Sequence, residues 1–500
     1  MNKIRRLFVY VTIISVMIFA ACAAVYADSS SGTIGTDISW TLDEEGNLSI
    51  TGTGDIPDYN YSGSPFFAKD IIKTITVGDG ITKIGSYAFY RCKGLETVTL
   101  PPSVESIGDY AISECDNLRT VTFPEGLHKI GYSAFSRCKN LEAIILPDSL
   151  QELGEYAFYE CTGAATLRLP VSMKKIPRHS FYECSSITAV VFPDDLETIE
   201  WSAFYGCRGI TVIDLPDGLK TLGDSAFASS SVRNLVIPDS VEEIGVDAFA
   251  NSDELRSVKL PDALKKIPSG AFSICCKLKS IEIPSGVDEI GYGAFYGCTD
   301  LKKAVIPASV KKMEYCFGEC FGLDEVYFEG DFPAPLNGSF YACNLTAYYP
   351  ADNETWTEDI LDSGYGGKVK WIGYCASHVE GAAVKENNKA ATALAAGSYD
   401  LVTYCEKCGT EISRKTVTVK KLTPTIKLSA AKKTLKKGKS YTLKVTGLAK
   451  GDSIKSFKSS KPGVAKVSAK GKITAKKKGK AVITVTLKSG KTAKCTITVK

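Results

Sequence analysis

IGSYAFYRCKGLETVTLPPSV, residues Ile84 to Val104, returns in altered form along most of this 500-residue chain. Aligned on the Phe of its Ala-Phe pair, the anchors are Phe66, Phe89, Ile112, Phe135, Phe158, Phe181, Phe204, Phe227, Phe249, Phe272, Phe295, Phe317 and Phe340, with steps of 23 residues apart from two of 22. A constant period of this size marks a solenoid, because each coil has an apolar side that only the neighbouring coils cover. Within one unit the apolar positions recur about every third residue: Phe89, Cys92, Leu95, Val98, Leu100, Val104, Ile107 and Ala111. The segment LETVTL (Leu95 to Leu100) has the composition of a strand, and Pro101 ends it, as do Pro124, Pro147, Pro170, Pro193, Pro216, Pro238, Pro261, Pro284 and Pro307 in later units. A Pro at that corner removes a backbone donor where ladder pairing stops. Stacked in register, about thirteen such coils predict a mainly β solenoid with a parallel sheet, its coils ~4.8 Å apart. The SYAF stretch is expected to form a short helical or irregular turn.

Strand alternation points the unspecified residues of LxxVxL outward, and stacking lines them up. The middle stripe reads Thr99, Thr122, Ile145, Arg168, Val191, Asp214, Val236, Lys259, Glu282, Val305 and Tyr327. Exposed aliphatic residues beside charges make this stripe a candidate recognition surface for a macromolecule.

The pattern IGxxAFxxCxxLxxVxLP resembles the bacterial BspA-like leucine-rich repeat family over about residues 34–373. SWTLDEEGNLSITGTGDI (Ser39 to Ile56) resembles the family's N-terminal cap, placed at residues 28–65, and AYYPADNETW with YGGKVKW resembles its closing segment. Departures fall at Ile112 for Phe, at Ser230 and Ser252 for Cys, and at Phe328-Glu329 for the Leu-Pro pair. The resemblance implies a leucine-rich-repeat solenoid over residues 66–373, in a secreted or cell-surface protein, and adhesion to host matrix proteins as in some members.

The chain opens with Lys3, Arg5 and Arg6, an apolar run from Leu7 to about Ala21, and Val25-Tyr26-Ala27 before Asp28. That order fits an export signal cleaved after Ala27. The alternatives are an uncleaved anchor, for which the run is short, and lipid attachment at Cys22, since Phe19-Ala20-Ala21-Cys22 loosely resembles a lipobox. No later segment is apolar enough to span a membrane, so the expected location of the processed protein is extracellular, secreted or loosely wall-associated.

Seventeen Cys in an exported chain would ordinarily indicate a disulfide framework. Ten of them, Cys92, Cys115, Cys138, Cys161, Cys184, Cys207, Cys275, Cys298, Cys320 and Cys343, instead stand three residues after an anchor and form a column. Side chains stacked in parallel are poorly aimed for bridges, and a straight file of sulfurs cannot surround an ion tetrahedrally. Buried, reduced thiols are expected there.

Cys375 and His378 form a CxxH, and Cys405 and Cys408 a CxxC, within residues 374–420. Three thiolates and one imidazole suit a structural, closed zinc site; a Cys405–Cys408 disulfide, or neither, are the other readings. AATALAAGSYDLVTYCEKCGTEI resembles a small Cys-rich module of surface proteins from anaerobic gut Firmicutes. That module often has a Cys after its Ala-Thr pair, where this chain has Ala393.

Residues 421–500 alternate apolar and polar residues in short runs separated by Gly- and Lys-rich turns, an all-β sandwich signal. SSKPGVAKVSAKGKITAKKKGKAVITV resembles the bacterial immunoglobulin-like group 2 domain, which implies a spacer or adhesive module. The segment contains 23 Lys against one acid, while the rest of the chain is net −18. Nucleic acid is disfavoured as partner, because Arg is absent and only Tyr441 and Phe457 could stack on bases. Retention on an anionic cell-wall polymer is one expectation, a merely solvated lysine surface the other.

Of the three histidines, His378 belongs to the CxxH, while His128 and His179 fall in different coils and are expected at the surface. Carboxylate pairs such as Glu242-Glu243 lie in polar corners, where solvation is the default. The chain therefore reads as a non-catalytic adhesin for host matrix proteins or glycans. A structural spacer or envelope component is the alternative, and an unrecognised extracellular hydrolase a minor one.

Overall fold

The structure, a computed structural model, describes residues 30–500, which divide into two compact units at Ile372 and Gly373. The export signal, its cleavage site and Cys22 lie outside the described residues.

The first unit begins with three antiparallel strands, β1 (Ser30–Ile34), β2 (Ile38–Leu42) and β3 (Asn47–Gly52). β3 then pairs in parallel with β4 (Thr74–Val77), so the cap turns a hairpin edge into the template on which coils stack. The following coils, with one exception, contribute a short strand in the expected place, such as Thr97–Thr99 and Thr120–Thr122, paired Thr97 to Thr120 and Thr99 to Thr122. The expectation of one continuous sheet is corrected. The ladder breaks into four parts, and residues 211–216 form no strand. A second parallel ladder, unforeseen from the sequence, is built mostly from two-residue strands such as Ser106–Ile107 and Lys129–Ile130 on another side of the coil.

The Ala-Phe turn supplies a third set of bonds between coils. It is not helical: the residues two before and two after the anchor adopt left-handed backbone, as at Tyr87 (φ 56°) and Arg91 (φ 63°), Ser133 and Arg137, Tyr156 and Glu160. For residues other than Gly this conformation is strained. It aims alternate N–H groups along the stack, so that Tyr87, Phe89 and Arg91 donate to the carbonyls of Asp109, Ala111 and Ser113 in the next coil. These bonds satisfy backbone groups that would otherwise be buried unpaired, which offsets the torsional cost.

Inside, the twelve anchor Phe side chains are fully buried, with rings stacked along most of the column, as for Phe204 and Phe227 at 5.2 Å between centroids and 3° between planes. Beside them runs the thiol column. Each Sγ–H donates to the anchor carbonyl one coil back: Cys92 to Phe66 at 3.1 Å, Cys161 to Phe135 at 3.2 Å, Cys343 to Phe317 at 3.1 Å. The position thus requires a small buried donor, and a hydroxyl fills the same role at Ser252, which donates to Phe227 O and shares a hydrogen bond with Ser230. All sixteen described cysteines are free, Cys316 and Cys495 being further buried thiols of the solenoid and the sandwich. Burial pushes the Cys92 and Cys184 thiols up to about 12. Since the thiolate is the reactive form, the native protein is expected to leave all ten column thiols unlabelled by an aromatic disulfide reagent at neutral pH; full labelling follows in denaturant. Rapid native labelling of several column positions would contradict this packing.

A strand at Asn344–Pro350 and another at Lys368–Tyr374 close the stack, with Trp356 and Trp371 covering Phe328.

The second unit contains a three-stranded antiparallel sheet (Val384–Lys389, Gly397–Tyr404, Glu411–Val419) and a sandwich. The sandwich has a four-stranded sheet (Lys432–Leu435, Thr492–Val499, Gly479–Leu487, Ile454–Ser459) facing a three-stranded one (Ser440–Thr442, Lys472–Ala475, Ala465–Val467) around Leu443, Ile473, Ile483, Val485 and Ile497. Module and sandwich touch: the Ala393 N–H donates to Lys450 O, and the Leu422 N–H to Thr392 O. Among the described residues no helix is long and apolar enough to cross a membrane.

Candidate functional site

Two places in the described chain concentrate functional chemistry. The first is the predicted stripe. Parallel register places Ile145 beside Arg168 and Arg168 beside Val191, Val236 beside Lys259, and Val305 beside Tyr327. Thr99 aligns with Thr122. Ile145, Val191 and Val236 are 45%, 80% and 59% exposed, so these stripe positions face outward as expected. Three members depart from the expectation. Asp214 lies in the coil without a strand, while Val305 and Tyr327 are half-buried.

Three stripe residues are already engaged within the protein, Lys259 through an ion pair with Asp239 at 3.7 Å. Arg168 donates to Leu146 O at 2.8 Å and to the Asp148 carboxylate at 2.7 Å, which holds that acid below its usual range. Tyr327 stacks on Tyr348 at 4.4 Å, carries the Lys303 ammonium over its ring at 4.1 Å and donates to Glu325. Two concavities open on the same face. One, of about 710 Å³, is lined by Asp262, Ser280, Glu282, Lys303, Val305 and Glu329 among others. The other, of about 500 Å³, includes Arg168, Val191, Asp194 and Asp195.

The second place is the Cys/His cluster. The bridge between Glu380 and Cys405 brings the CxxH against the CxxC, and the Glu406 N–H donates to Val379 O. Gly409, with φ 71°, lets its own N–H return to Cys405 O and closes the CxxC turn. One ligand atom from each of Cys375, His378, Cys405 and Cys408 lies within 4.8 Å of every other. Cys405 Sγ is 3.9 Å from Cys375 Sγ, and Cys408 Sγ is 3.5 Å from His378 Nδ1. A tetrahedral ion with bonds of ~2.3 Å to sulfur and ~2.0 Å to nitrogen requires edges of about 3.5–3.8 Å, so the four donors fit a metal ion. The backbone N–H groups of Cys408 and Lys407 help hold the Cys405 thiol down to about 6, whereas burial and the neighbouring sulfurs push Cys375 up. Sulfurs crowded this closely cannot all ionise without a cation between them. Ala393, at the position where the resembling module often has Cys, is buried, and the four donors meet without it.

The BspA type leucine rich repeat region matches this chain in six copies, over residues 60–188, 107–233 and 220–347. The chain belongs to the BspA-type leucine-rich repeat family. Its C-terminal residues 422–497 match the bacterial Ig-like domain (group 2). The fold of this BspA-type chain is also that of a solved structure. A leucine-rich repeat protein from Bacteroides ovatus is 23% identical, with a TM-score of 0.50, covering 67% of this chain and 98% of that one. A leucine rich cell surface protein from Faecalibacterium prausnitzii is 24% identical over 61% and 96% of the two chains, with a TM-score of 0.42. The pneumococcal vaccine antigen PcpA is 19% identical over 69% and 98%, also at 0.42. A search of curated proteins gives no match.

One feature of the BspA-type solenoid was not legible in the strand pattern. Tyr61, Tyr87, Tyr110, Tyr132, Tyr156, His179 and Trp201 form an unbroken file of rings on the turn side, each 4.4–6.4 Å from the next. An aromatic ring shortly before the anchor was the available signal; Tyr87, Tyr110, Tyr156 and His179, two residues before it, stand on left-handed backbone, whereas Tyr132 and Trp201 stand three before it, next to left-handed Ser133 and Ser202. His179, expected at the surface, is therefore half-buried: it stacks on Tyr156 at 4.4 Å, its Nδ1 is buried without a partner, and desolvation lowers its pKa. His128 is exposed, with Nδ1 3.1 Å from Ser149 O.

Proposed function

We propose that this protein is a non-catalytic binding protein of the cell exterior, in which the sheet face of the solenoid holds a host matrix protein or glycan. The observation that carries this reading is the coincidence of both sheet-face concavities with stripe residues, Arg168 and Val191 in one, Glu282 and Val305 in the other. Polar and charged groups around exposed aliphatic contacts are the usual anatomy of a recognition surface. The N-terminal sequence supports export, and the Cys/His cluster serves as a structural zinc site that stabilises the small module.

The test uses the exposed members of the stripe. Val191→Asp and Val236→Asp alter side chains that are mostly exposed, so stability should change by no more than ~0.5 kcal/mol. On a glycan and matrix-protein array the native chain should bind a restricted set of ligands, and the double variant should lose at least about tenfold in affinity at unchanged melting temperature, equivalent to ~1.4 kcal/mol. Arg168 and Tyr327 are poorer probes, since truncating them also breaks bonds to Leu146, Asp148 and Glu325. A native chain that binds nothing on the array would favour the spacer reading.

A further inference from the structure

The two bodies at the ends of this chain carry nearly equal and opposite charge. Residues 30–372 sum to −21 and residues 421–500 to +22, with the residues between them at +1. The sandwich cannot neutralise itself. Its sole acidic side chain, Asp452, is occupied by Ser453 and Ser489, and none of its 23 lysines is in an ion pair.

These lysines cover both outer faces of the sandwich. Register and alternation put Lys432, Lys458, Lys480 and Lys494 on the outside of the four-stranded sheet, among Thr484, Thr496 and Thr498. Lys466 and Lys472 lie outside the three-stranded sheet, with Thr474. On the solenoid, the excess of acid is densest toward the closing end. From Met313 to Gly367 there are 11 Asp and Glu and no Lys or Arg, and Asp331, Asp352, Glu354, Glu358, Asp359 and Asp362 are exposed.

We propose that the chain self-associates, the lysine-covered sandwich of one copy docking on the acidic solenoid of a second copy. Charge complementarity selects this occupant: the two surfaces match in magnitude as well as sign, and the chain as a whole, at +4, gives copies little net repulsion to overcome. Because lysines lie on opposite faces of the sandwich, contact with one solenoid leaves the other face available. The contact is therefore heterologous and extendable rather than a closed pair. The absence of Arg removes the planar forks that fix one bidentate geometry, so the attraction is governed by charge density and falls with salt.

Sedimentation velocity of the full chain, cleared of nucleic acid and other polyanions, tests this across concentration and from about 20 mM to about 500 mM NaCl. The expected result is a weight-average mass that rises at least twofold with concentration at low salt and returns to that of one chain at high salt. The variant Lys476→Glu, Lys477→Glu, Lys478→Glu, Lys480→Glu, altered only at exposed positions, should stay at the mass of one chain throughout, with its fold checked by circular dichroism. One mass at every concentration and salt would overturn the proposal. So would compaction at low salt without a change of mass, which would place the contact inside one chain. Association unaffected by salt or by the charge reversal would do the same, as would association seen only before polyanions are removed, which would make an outside polymer the occupant.

Discussion

Phe158→Ala should lower the stability of the solenoid by about 3–5 kcal/mol, the range for deleting a large buried aromatic side chain. The ring is fully buried between Phe135, at 5.3 Å and 6°, and Phe181, at 5.8 Å and 3°, with the edge of Phe123 against it at 6.2 Å. Collapse cannot fill the space it leaves. The Phe158 N–H is bound to Ser180 O, and its carbonyl receives both the Cys161 N–H and the Cys184 thiol, so the coil is pinned above and below. In a stack where each coil contacts only its neighbours, the loss weakens two interfaces and divides the cooperative unit. Urea unfolding followed by circular dichroism should show a lower midpoint and a broadened or split transition. Phe321→Ala is the control: that ring is 65% exposed and its loss should cost no more than ~0.5 kcal/mol. A change below about 1 kcal/mol at Phe158 would mean that the anchor column does not hold the coils together.

The second large effect concerns the metal. The chain purified without chelators should contain one zinc ion, and Cys405→Ser or Cys408→Ser should remove it. Structural zinc sites of this donor type contribute on the order of 10 kcal/mol of apparent binding free energy at neutral pH. The strands Gly397–Tyr404 and Glu411–Val419 flank the CxxC and should lose hydrogen-exchange protection with the metal, while the solenoid keeps its own. The pH dependence has a definite sign. Cys405 is held below its unfolded value, so the contribution of its anion is present above the unfolded pKa, near 9, and is lost as pH falls through about 6. Zinc should accordingly be released on acidification, and metal content that is constant down to pH ~4 would exclude thiolate ligation. A disulfide between Cys405 and Cys408, detected by mass spectrometry in the freshly isolated chain, would also exclude the site.

Legibility of the fold followed how local its causes are. The period, the anchors and the Pro corners required only residue order, and so did the column of cysteines. The role of those cysteines did not, because the partner of Cys184 is the carbonyl of Phe158, 26 residues earlier. The second ladder was hidden because strands of two residues, such as Lys129–Ile130, have no alternation to read. The turn ladder was hidden for another reason: Tyr, Arg, Ser and Glu carry no preference for left-handed backbone, and bonds to the next coil impose it on them. Of the sites, CxxH and CxxC named their four residues from spacing alone. The stripe was legible as a set, but the half-burial of Val305 and Tyr327 and the missing strand at Asp214 come from how neighbouring coils settle on one another.

Residue order by itself determined that coils of 22–23 residues stack on a Phe column, that a basic sandwich follows, and that three thiols and an imidazole come in two chelating pairs. It could do so because apolar spacing and turn chemistry act within a single coil. Tertiary structure alone decided where the sheet breaks, which carbonyl each buried thiol meets, and that a file of aromatic rings faces outward on the turn side. Those outcomes depend on hydrogen bonds that one coil makes to the next, and such bonds exist only once the stack has formed.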